Sequence, residues 1–315
     1  MTTLLIEAKN LSRFYGKQCA VDDVSFTLAK GEVLGFLGPN GAGKTTSMQM
    51  LCGNLAPSAG QIIINGYDIL EHPIYAKQCL GYLPDTPPLY KELTVNEFLQ
   101  YCAKLHRLPF RKINNAINAA KAHCGLNDVA ERLIVNLSKG FQQRVGIAQA
   151  ILHNPEIIIL DEPTVGLDPI QIKEIRSLIK QLGSDHGVIL STHILSEVQE
   201  SCSHVQIINR GKLILRETIK DLNQRMNTGT IKIVTRKPMD LDCFSGINSI
   251  GSIEHIKKTH YLVHHNTNNN PIELIADIIV NLGWGLQELT PIKKSMEDIF
   301  ISLTTETENK DKEPA

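Results

Sequence analysis

The chain reads as an α/β protein built on a buried, largely parallel sheet, with a small α+β unit appended. Three observations predict this. Short apolar runs of strand length, at residues 33–37, 156–160 and 188–191, are separated by helical stretches, and strands buried on both faces are what a parallel sheet requires. The first of these runs leads directly into a glycine-rich turn, Gly38-Pro39-Asn40-Gly41-Ala42-Gly43-Lys44-Thr45. After about Asp221 the composition shifts toward Asn, Thr, Ile and Lys, and a new pattern of strands and helices begins.

The elements follow in order. Residues 4–8, 24–28, 33–37 and 61–64 are rich in Val, Ile, Leu and Phe and are punctuated by Gly or Asn, so each is a predicted strand. A helix is predicted to follow Gly43, because residues 44–54 carry no breaker before Gly53. Thr94-Val95-Asn96-Glu97 is a capping-box pattern, and Phe98, Tyr101, Cys102 and Leu105 follow at helical spacing. Residues 111–124 form a second predicted helix. Ser138 opens a third, with Val145, Ala148, Ile151 and Leu152 on one face. A helix over 170–182 lies between the strands at 156–160 and 188–191. Residues 205–209 and 212–215, turning at Arg210-Gly211, read as a closing hairpin. The domains are expected at 1–221 and 222–304. The second holds strands at 230–235 and 261–264, an amphipathic helix at 271–282 with Ile272, Ile275, Ile279 and Leu282 on one face, and a last helix at 295–303. At about 80 residues such a unit is marginal by itself, so a dimer-stabilising or regulatory role is expected for it. Residues 305–315 read as a polar, disordered tail.

Composition excludes several function classes. Hydrophobic residues make up 42% and charged residues 21%, so the chain folds instead of remaining disordered. Net charge is −1, which leaves no basic excess to neutralise a nucleic-acid backbone, and no nucleic-acid partner is expected. The first nine residues lack an apolar core and a small-residue cleavage site, so no secretory signal is expected. No run approaches the roughly 18 apolar residues that span a bilayer. The seven cysteines include no Cys-x-x-Cys pair, which argues for a reducing cytoplasm over a disulfide framework.

The glycine-rich turn matches G-x-x-x-x-G-K-[ST] in full, with a strand before it and a helix after it. The residue types follow from phosphate chemistry. Glycines let backbone N–H groups converge on an anion without Cβ clashes. The helix N-terminus adds its dipole. Residues Gly38, Pro39, Asn40, Gly41, Ala42, Gly43, Lys44, Thr45 and Thr46 are therefore the expected nucleotide cradle, with Lys44 reaching the phosphates and the Thr45 hydroxyl holding Mg²⁺. A second feature is the run Ile157-Ile158-Ile159-Leu160-Asp161-Glu162, an apolar strand ending in two carboxylates. Ligands gather beyond the carboxyl ends of strands in open α/β sheets. Asp161 is placed to hold Mg²⁺, and Glu162 to polarise the attacking water as general base.

Leu137-Ser138-Lys139-Gly140-Phe141-Gln142-Gln143-Arg144 precedes that strand and resembles the signature motif of ABC ATPases, whose consensus is Leu-Ser-Gly-Gly-Gln. The order of elements over roughly residues 4 to 220 is similar to that family: phosphate loop, signature, acidic strand, then His193. The Leu-Ser-Lys-Gly wording with an aromatic next is similar to its type-2 exporter and gliding-motility branches. The resemblance implies a P-loop ABC ATPase domain with a mixed sheet core, an antiparallel β subdomain and a helical subdomain. It implies ATP and Mg²⁺ as cofactors, ATP hydrolysis, a separate membrane permease as partner, and a peripheral location on the cytoplasmic face of the inner membrane. It also implies a head-to-tail homodimer in which Ser138 and Gly140 face the γ-phosphate bound by the other subunit. His193 corresponds to the switch histidine that contacts the γ-phosphate. Val165-Gly166-Leu167-Asp168 resembles the loop that lines the dimer interface. Tyr15 corresponds to the aromatic that stacks on adenine, with a tyrosine in the strand's core as the alternative. Asp85 stands where the family usually has Gln and is the implied third metal residue, beside Thr45 and Asp161. Translation-factor ABC proteins carry two nucleotide domains in one chain and DNA-repair members carry a long inserted coiled coil. Neither feature is present, which counts against the runner-up, a non-transport ABC ATPase with a mechanical or regulatory role on ribosomes or DNA. A GTPase would need an Asn-Lys-x-Asp reader, and Asn309-Lys310-Asp311-Lys312 fails at its last position.

Overall fold

The structure is a computed structural model and describes residues 3–244, 247–266, 271–293, 295, 298 and 299. The chain divides into two compact units, Met1–Ile219 and Lys220–Ala315.

The first unit contains two sheets. Strand β1 (Leu4–Tyr15) pairs antiparallel with β2 (Gln18–Ala29) and with β4 (Ala59–Ile64), which in turn pairs with the short β5 (Tyr67–Asp68). The second sheet has the order β10–β9–β3–β8–β7–β6, where β3 is Val33–Leu37, β6 Leu80–Leu83, β7 Ile157–Asp161, β8 Gly187–Thr192, β9 His204–Asn209 and β10 Lys212–Thr218. All neighbours are parallel except the β9–β10 hairpin. The predicted parallel core and antiparallel β subdomain are thus both present. The first two strands run well beyond the predicted 4–8 and 24–28, because polar residues such as Asn10 and Asp23 are absorbed at positive φ with register shifts in the ladder.

The faces of this second sheet explain the continuous apolar runs. Strand β7 is buried at all five positions and β8 at all six. Leu34, Phe36, Ile157, Ile159 and Ile189 pack with the antiparallel sheet and with Met48 and Leu51 of α1 (Lys44–Leu51). Ile158, Leu160, Val188 and Leu190 pack with the helical layer on the other face. A short helix α2 (Pro73–Gln78) precedes β6. The helical layer comprises α3 (Val95–Leu105), α4 (Phe110–Cys124) and α5 (Lys139–Ile151), followed after β7 by α6 (Pro169–Leu182) and after β8 by α7 (Leu195–Ser201). The capping box read at Thr94 is formed in both directions: the Glu97 N–H donates to Thr94 Oγ1 at 3.2 Å, and the Thr94 N–H donates to the Glu97 carboxylate at 2.8 Å. Ser138 is the N-cap of α5.

The second unit opens with α8 (Ile219–Arg225), whose first residue closes the first unit. It contains one antiparallel sheet of order β12–β13–β11–β14, with β11 Asn227–Thr235, β12 Ile250–Lys257, β13 His260–His265 and β14 Leu286–Lys293. Helix α9 (Ile272–Asn281) supplies Ile275 and Ile279 to a core with Ile231, Ile233, Tyr261, Val263 and Phe244. The helix therefore covers its own sheet. Leu282, predicted on the buried face, is 50% exposed, because α9 ends one residue earlier and the chain turns away at Gly283. Strands β12 and β14 have no counterpart in the sequence reading. The predicted last helix at 295–303 and the tail from 305 lie largely outside the described residues.

A fragment ending at residue 219 is expected to unfold in one cooperative thermal transition, because two large hydrophobic clusters found among the described residues of the first unit are built from residues up to Leu213. Circular dichroism melting of the fragment checks this, and a transition without cooperativity would place the boundary elsewhere.

Candidate functional site

Four parallel strands end on the same edge of the second sheet, and the register sets how far each reaches. Leu37 lies beside Thr192, Asp161 beside Ser191, and Leu83 beside Leu160. The residues just past these ends are therefore delivered together: the glycine-rich turn after β3, Asp85 after β6, Glu162 after β7 and His193 after β8. They border one cavity of about 770 Å³, lined by Tyr15, Asn40, Gly41, Gly43, Lys44, Thr45, Thr46, Asp85, Glu162 and His193, and also by Gln18, Cys19, Ala20, Val165 and Arg210. The volume falls in the range of small-molecule and cofactor sites.

The turn must be glycine-rich for steric reasons visible at two positions. A Cβ on Gly38 would lie 2.3 Å from the Ile208 carbonyl oxygen, and one on Gly43 would lie 2.5 Å from the Ala20 carbonyl oxygen. Gly43 also has φ of 106°, which L side chains rarely adopt. The turn thus runs in backbone contact with β9 and with the start of β2, and closes on Lys44. That side chain is 6% exposed; its Nζ donates to the Gly38 carbonyl at 2.9 Å and to the Pro39 carbonyl at 3.3 Å. Ala42 is buried in the turn.

Glu162 is the centre of the charged chemistry. Its φ of 49° is left-handed, a conformation that costs a non-glycine residue about 1–2 kcal/mol. The backbone is held there by the Glu162 N–H donating to the Ser191 carbonyl at 2.9 Å. The turn aims the carboxylate into the cavity, where Oε1 lies 3.3 Å from Lys44 Nζ and Oε2 lies 2.9 Å from His193 Nδ1. Backbone strain of this kind concentrates at functional sites. His193 itself is half exposed on the cavity side of the pair.

Asp161 is fully buried and is not among the residues lining the cavity, and neither carboxylate oxygen has a hydrogen bond of acceptable geometry. Burial raises its pKa, the hydroxyls of Ser191 and Thr45 offset part of the rise, and the negative charges of Glu162 and Asp85 add to it. A buried acid with spare lone pairs beside a threonine hydroxyl suits a hard divalent cation, whose charge would remove the penalty of ionising it. Among the described residues no group of three or more His, Cys, Asp or Glu could hold a metal by itself. A cation here would be completed by phosphate oxygens and water, as suits Mg²⁺. The donor set fits.

Tyr15 ends β1 and is 46% exposed on the cavity wall, with the Arg13 guanidinium 5.0 Å from its ring centroid. It is therefore not a core tyrosine. Ser138 and Gly140 are not among the residues lining the cavity. Ser138 Oγ accepts from the Phe141 N–H at 3.4 Å, and Gly140 sits against Gln171, where a Cβ would come within 2.6 Å of the amide carbon. Gln18, Cys19, Ala20 and Arg210 were not read as site residues. They arrive through the β1–β2 and β9–β10 turns, and no motif marks them.

The family described as ABC transporter matches residues 21–165. The ABC transporter ATP-binding protein YhcH of Bacillus subtilis (strain 168) is 34% identical over 306 residues, covering 96% of this chain and 97% of YhcH. The chain belongs to the ABC transporter ATP-binding proteins. The bacitracin transport ATP-binding protein BcrA of Bacillus licheniformis is 33% identical over 95% of this chain and 97% of its own length. A solved ATP-binding subunit of an ABC transporter superposes with a TM-score of 0.63 at 32% identity, covering 70% of this chain and 92% of that one. As a member of this family the chain binds ATP, hydrolyses it, and powers transport through a separate permease. Among its described residues no helix is long and apolar enough to cross a membrane.

Proposed function

We infer that this ABC subunit works as a head-to-tail homodimer with two ATP molecules held between the copies, and that it drives export from the cytoplasmic face of a membrane. The observation that carries the reading is the separation of the phosphate-binding parts within one chain. Lys44, Glu162 and His193 share the cavity, whereas Ser138, exposed at the start of the 13-residue helix α5, does not reach it. A serine hydroxyl and free N–H groups at a helix start suit an anion. A second copy turned head to tail would bring them to the γ-phosphate. The export direction is supported by the Leu-Ser-Lys-Gly-Phe wording.

In this reading ATP lies along the cavity with adenine on Tyr15 and its phosphates over residues 38–46. The β- and γ-phosphate oxygens take Lys44 from Glu162. That exchange leaves Glu162 free to accept a proton from the water attacking the γ-phosphorus, while His193 donates to the γ-phosphate. Thr45, Asp161 and Asp85 would hold Mg²⁺, which supplies positive charge against the phosphates. Lys44 and the helix dipole stabilise the charge that develops as the terminal bond breaks.

The trans arrangement is tested by mixing two inactive proteins. Ser138→Arg puts bulk and positive charge where the partner's γ-phosphate docks, and Lys44→Ala disables the cradle. A mixed dimer keeps one site with both halves intact. It is expected to retain a non-hydrolysable ATP analogue through gel filtration, whereas neither variant does so alone. Mixed dimers that form and retain none would overturn the shared sites.

A further inference from the structure

Behind the segments that carry Glu162 and His193 lies a further carboxylate that no motif announces. Helix α7 follows His193 and buries Glu197, Val198 and Ser201. Its closeness to the sheet comes from Gly35 in β3: a Cβ there would lie 2.7 Å from Val198 Cγ1 and 3.0 Å from Cys202 Sγ. The missing side chain lets α7 settle onto the strand, and this carries Glu197 to complete burial. A carboxylate out of water is costly unless its oxygens are satisfied. Both are. Glu197 Oε1 accepts from the Thr164 hydroxyl, and Oε2 accepts from the Thr192 hydroxyl at 2.7 Å. The Thr192 hydroxyl also accepts from the Ile194 N–H at 3.1 Å, so its own proton is committed to Glu197. Thr164 is 2% exposed and Thr192 is fully buried. No ion pair to Glu197 is found among the described residues.

The two threonines have little in common except where they sit. Thr164 lies two residues after Glu162, in the turn held by the Val165 N–H donating to the Glu162 carbonyl at 3.3 Å. Thr192 immediately precedes His193 at the end of β8. One carboxylate therefore binds the turn that carries Glu162 to the strand end that carries His193. Van der Waals packing tolerates sliding, but a carboxylate shared between two hydroxyls sets a distance. We propose that Glu197 is a positioning residue for ATP hydrolysis, fixing the spacing and orientation of Glu162 and His193 from behind the cavity. The proposal rests on the reading of Glu162 as base and His193 as the γ-phosphate contact.

A glutamine at 197 keeps the shape but presents one acceptor oxygen in place of two, so one of the two hydroxyls loses its acceptor. Valine at 164 keeps the shape of threonine and removes its hydroxyl. The test is the kcat and KM for ATP of the full chain and of Glu197→Gln, Thr164→Val, Thr164→Ser and Glu162→Gln. Glu197→Gln and Thr164→Val are expected to lower kcat by about ten- to a hundredfold, the scale of a small misplacement of reacting groups, with KM almost unmoved. Thr164→Ser restores the hydroxyl and keeps most of the activity. Combining Glu197→Gln with Thr164→Val should cost little beyond the worse single change, since both cut the same link. Wild-type kcat in Glu197→Gln or Thr164→Val overturns the proposal. So does Thr164→Ser failing as badly as Thr164→Val, or KM rising as kcat falls, either of which marks a purely structural role. Should Glu197→Gln not fold, the two Thr164 variants decide the matter. Glu162→Gln separates the two readings: if it turns over at the wild-type rate, the base assignment has failed; if it is inactive while Glu197→Gln is fully active, only the positioning role has failed.

Discussion

Glu162→Gln is expected to lower ATP hydrolysis by about two to four orders of magnitude, the contribution typical of a positioned general base. An amide cannot take the proton of the attacking water, yet it fills the same space at the end of β7. The change also removes the ionic partner that holds Lys44 at 3.3 Å before nucleotide arrives. Phosphate oxygens then compete with only the Gly38 and Pro39 carbonyls for that ammonium. ATP affinity should therefore hold or rise, never fall. With binding intact and hydrolysis blocked, the ATP-bound dimer should accumulate and elute earlier on size-exclusion chromatography. Phosphate release, nucleotide titration and elution volume together form the test. Hydrolysis at the wild-type rate would refute the assignment of Glu162 as base.

Lys44→Ala is the second large effect. The side chain is buried, and its three nearest acceptors are two turn carbonyls and a carboxylate. Its value to ATP is a charge-assisted hydrogen bond of about 1.5–3 kcal/mol, or roughly ten- to a hundredfold in affinity. Turnover should be lost altogether, because the same ammonium offsets charge on the transferring phosphoryl group. The ATP-free protein should also lose stability by about 1–3 kcal/mol, because Glu162 keeps only His193 as a partner in a poorly hydrated site. Titration with a fluorescent ATP analogue measures the affinity, and thermal melting without nucleotide measures the stability. Unchanged affinity together with unchanged turnover would remove the phosphate-cradle reading.

The parts of this molecule that were legible in its sequence share one property: the information is local. The capping box at Thr94 forms between residues three apart, so its hydrogen bonds follow from the residues themselves. The steric demand at Gly43 is written into a short motif, since only glycine tolerates both its φ and its neighbour. The apolar runs of β7 and β8 end where polarity begins, and that boundary located Asp161, Glu162 and His193. Helix α9 is legible in its period of apolar residues, although that period runs on to Leu282, which lies past the helix end and is exposed. Strands β12 and β14 escaped notice because Gly251, Ser252 and Glu254 are exposed and Pro291 breaks the usual strand pattern, leaving little apolar alternation to detect.

By itself, the sequence determined the glycine-rich turn, the acidic strand end, the family and the alternation of strands and helices that makes a parallel sheet. Each depends on residues adjacent in the chain or on a regular period. Only the tertiary structure decided that Tyr15 faces the cavity instead of the core, that Lys44 bonds to Glu162 across 118 positions of sequence, and that Ser138 stands apart from them. It alone revealed Glu197 joining Thr164 to Thr192, a link that exists because Gly35, far away in the chain, lacks a side chain. Such contacts depend on strand order and on close packing between elements. Neither is encoded in the identity of any one residue, because burial and partner choice are set by what the rest of the fold brings alongside.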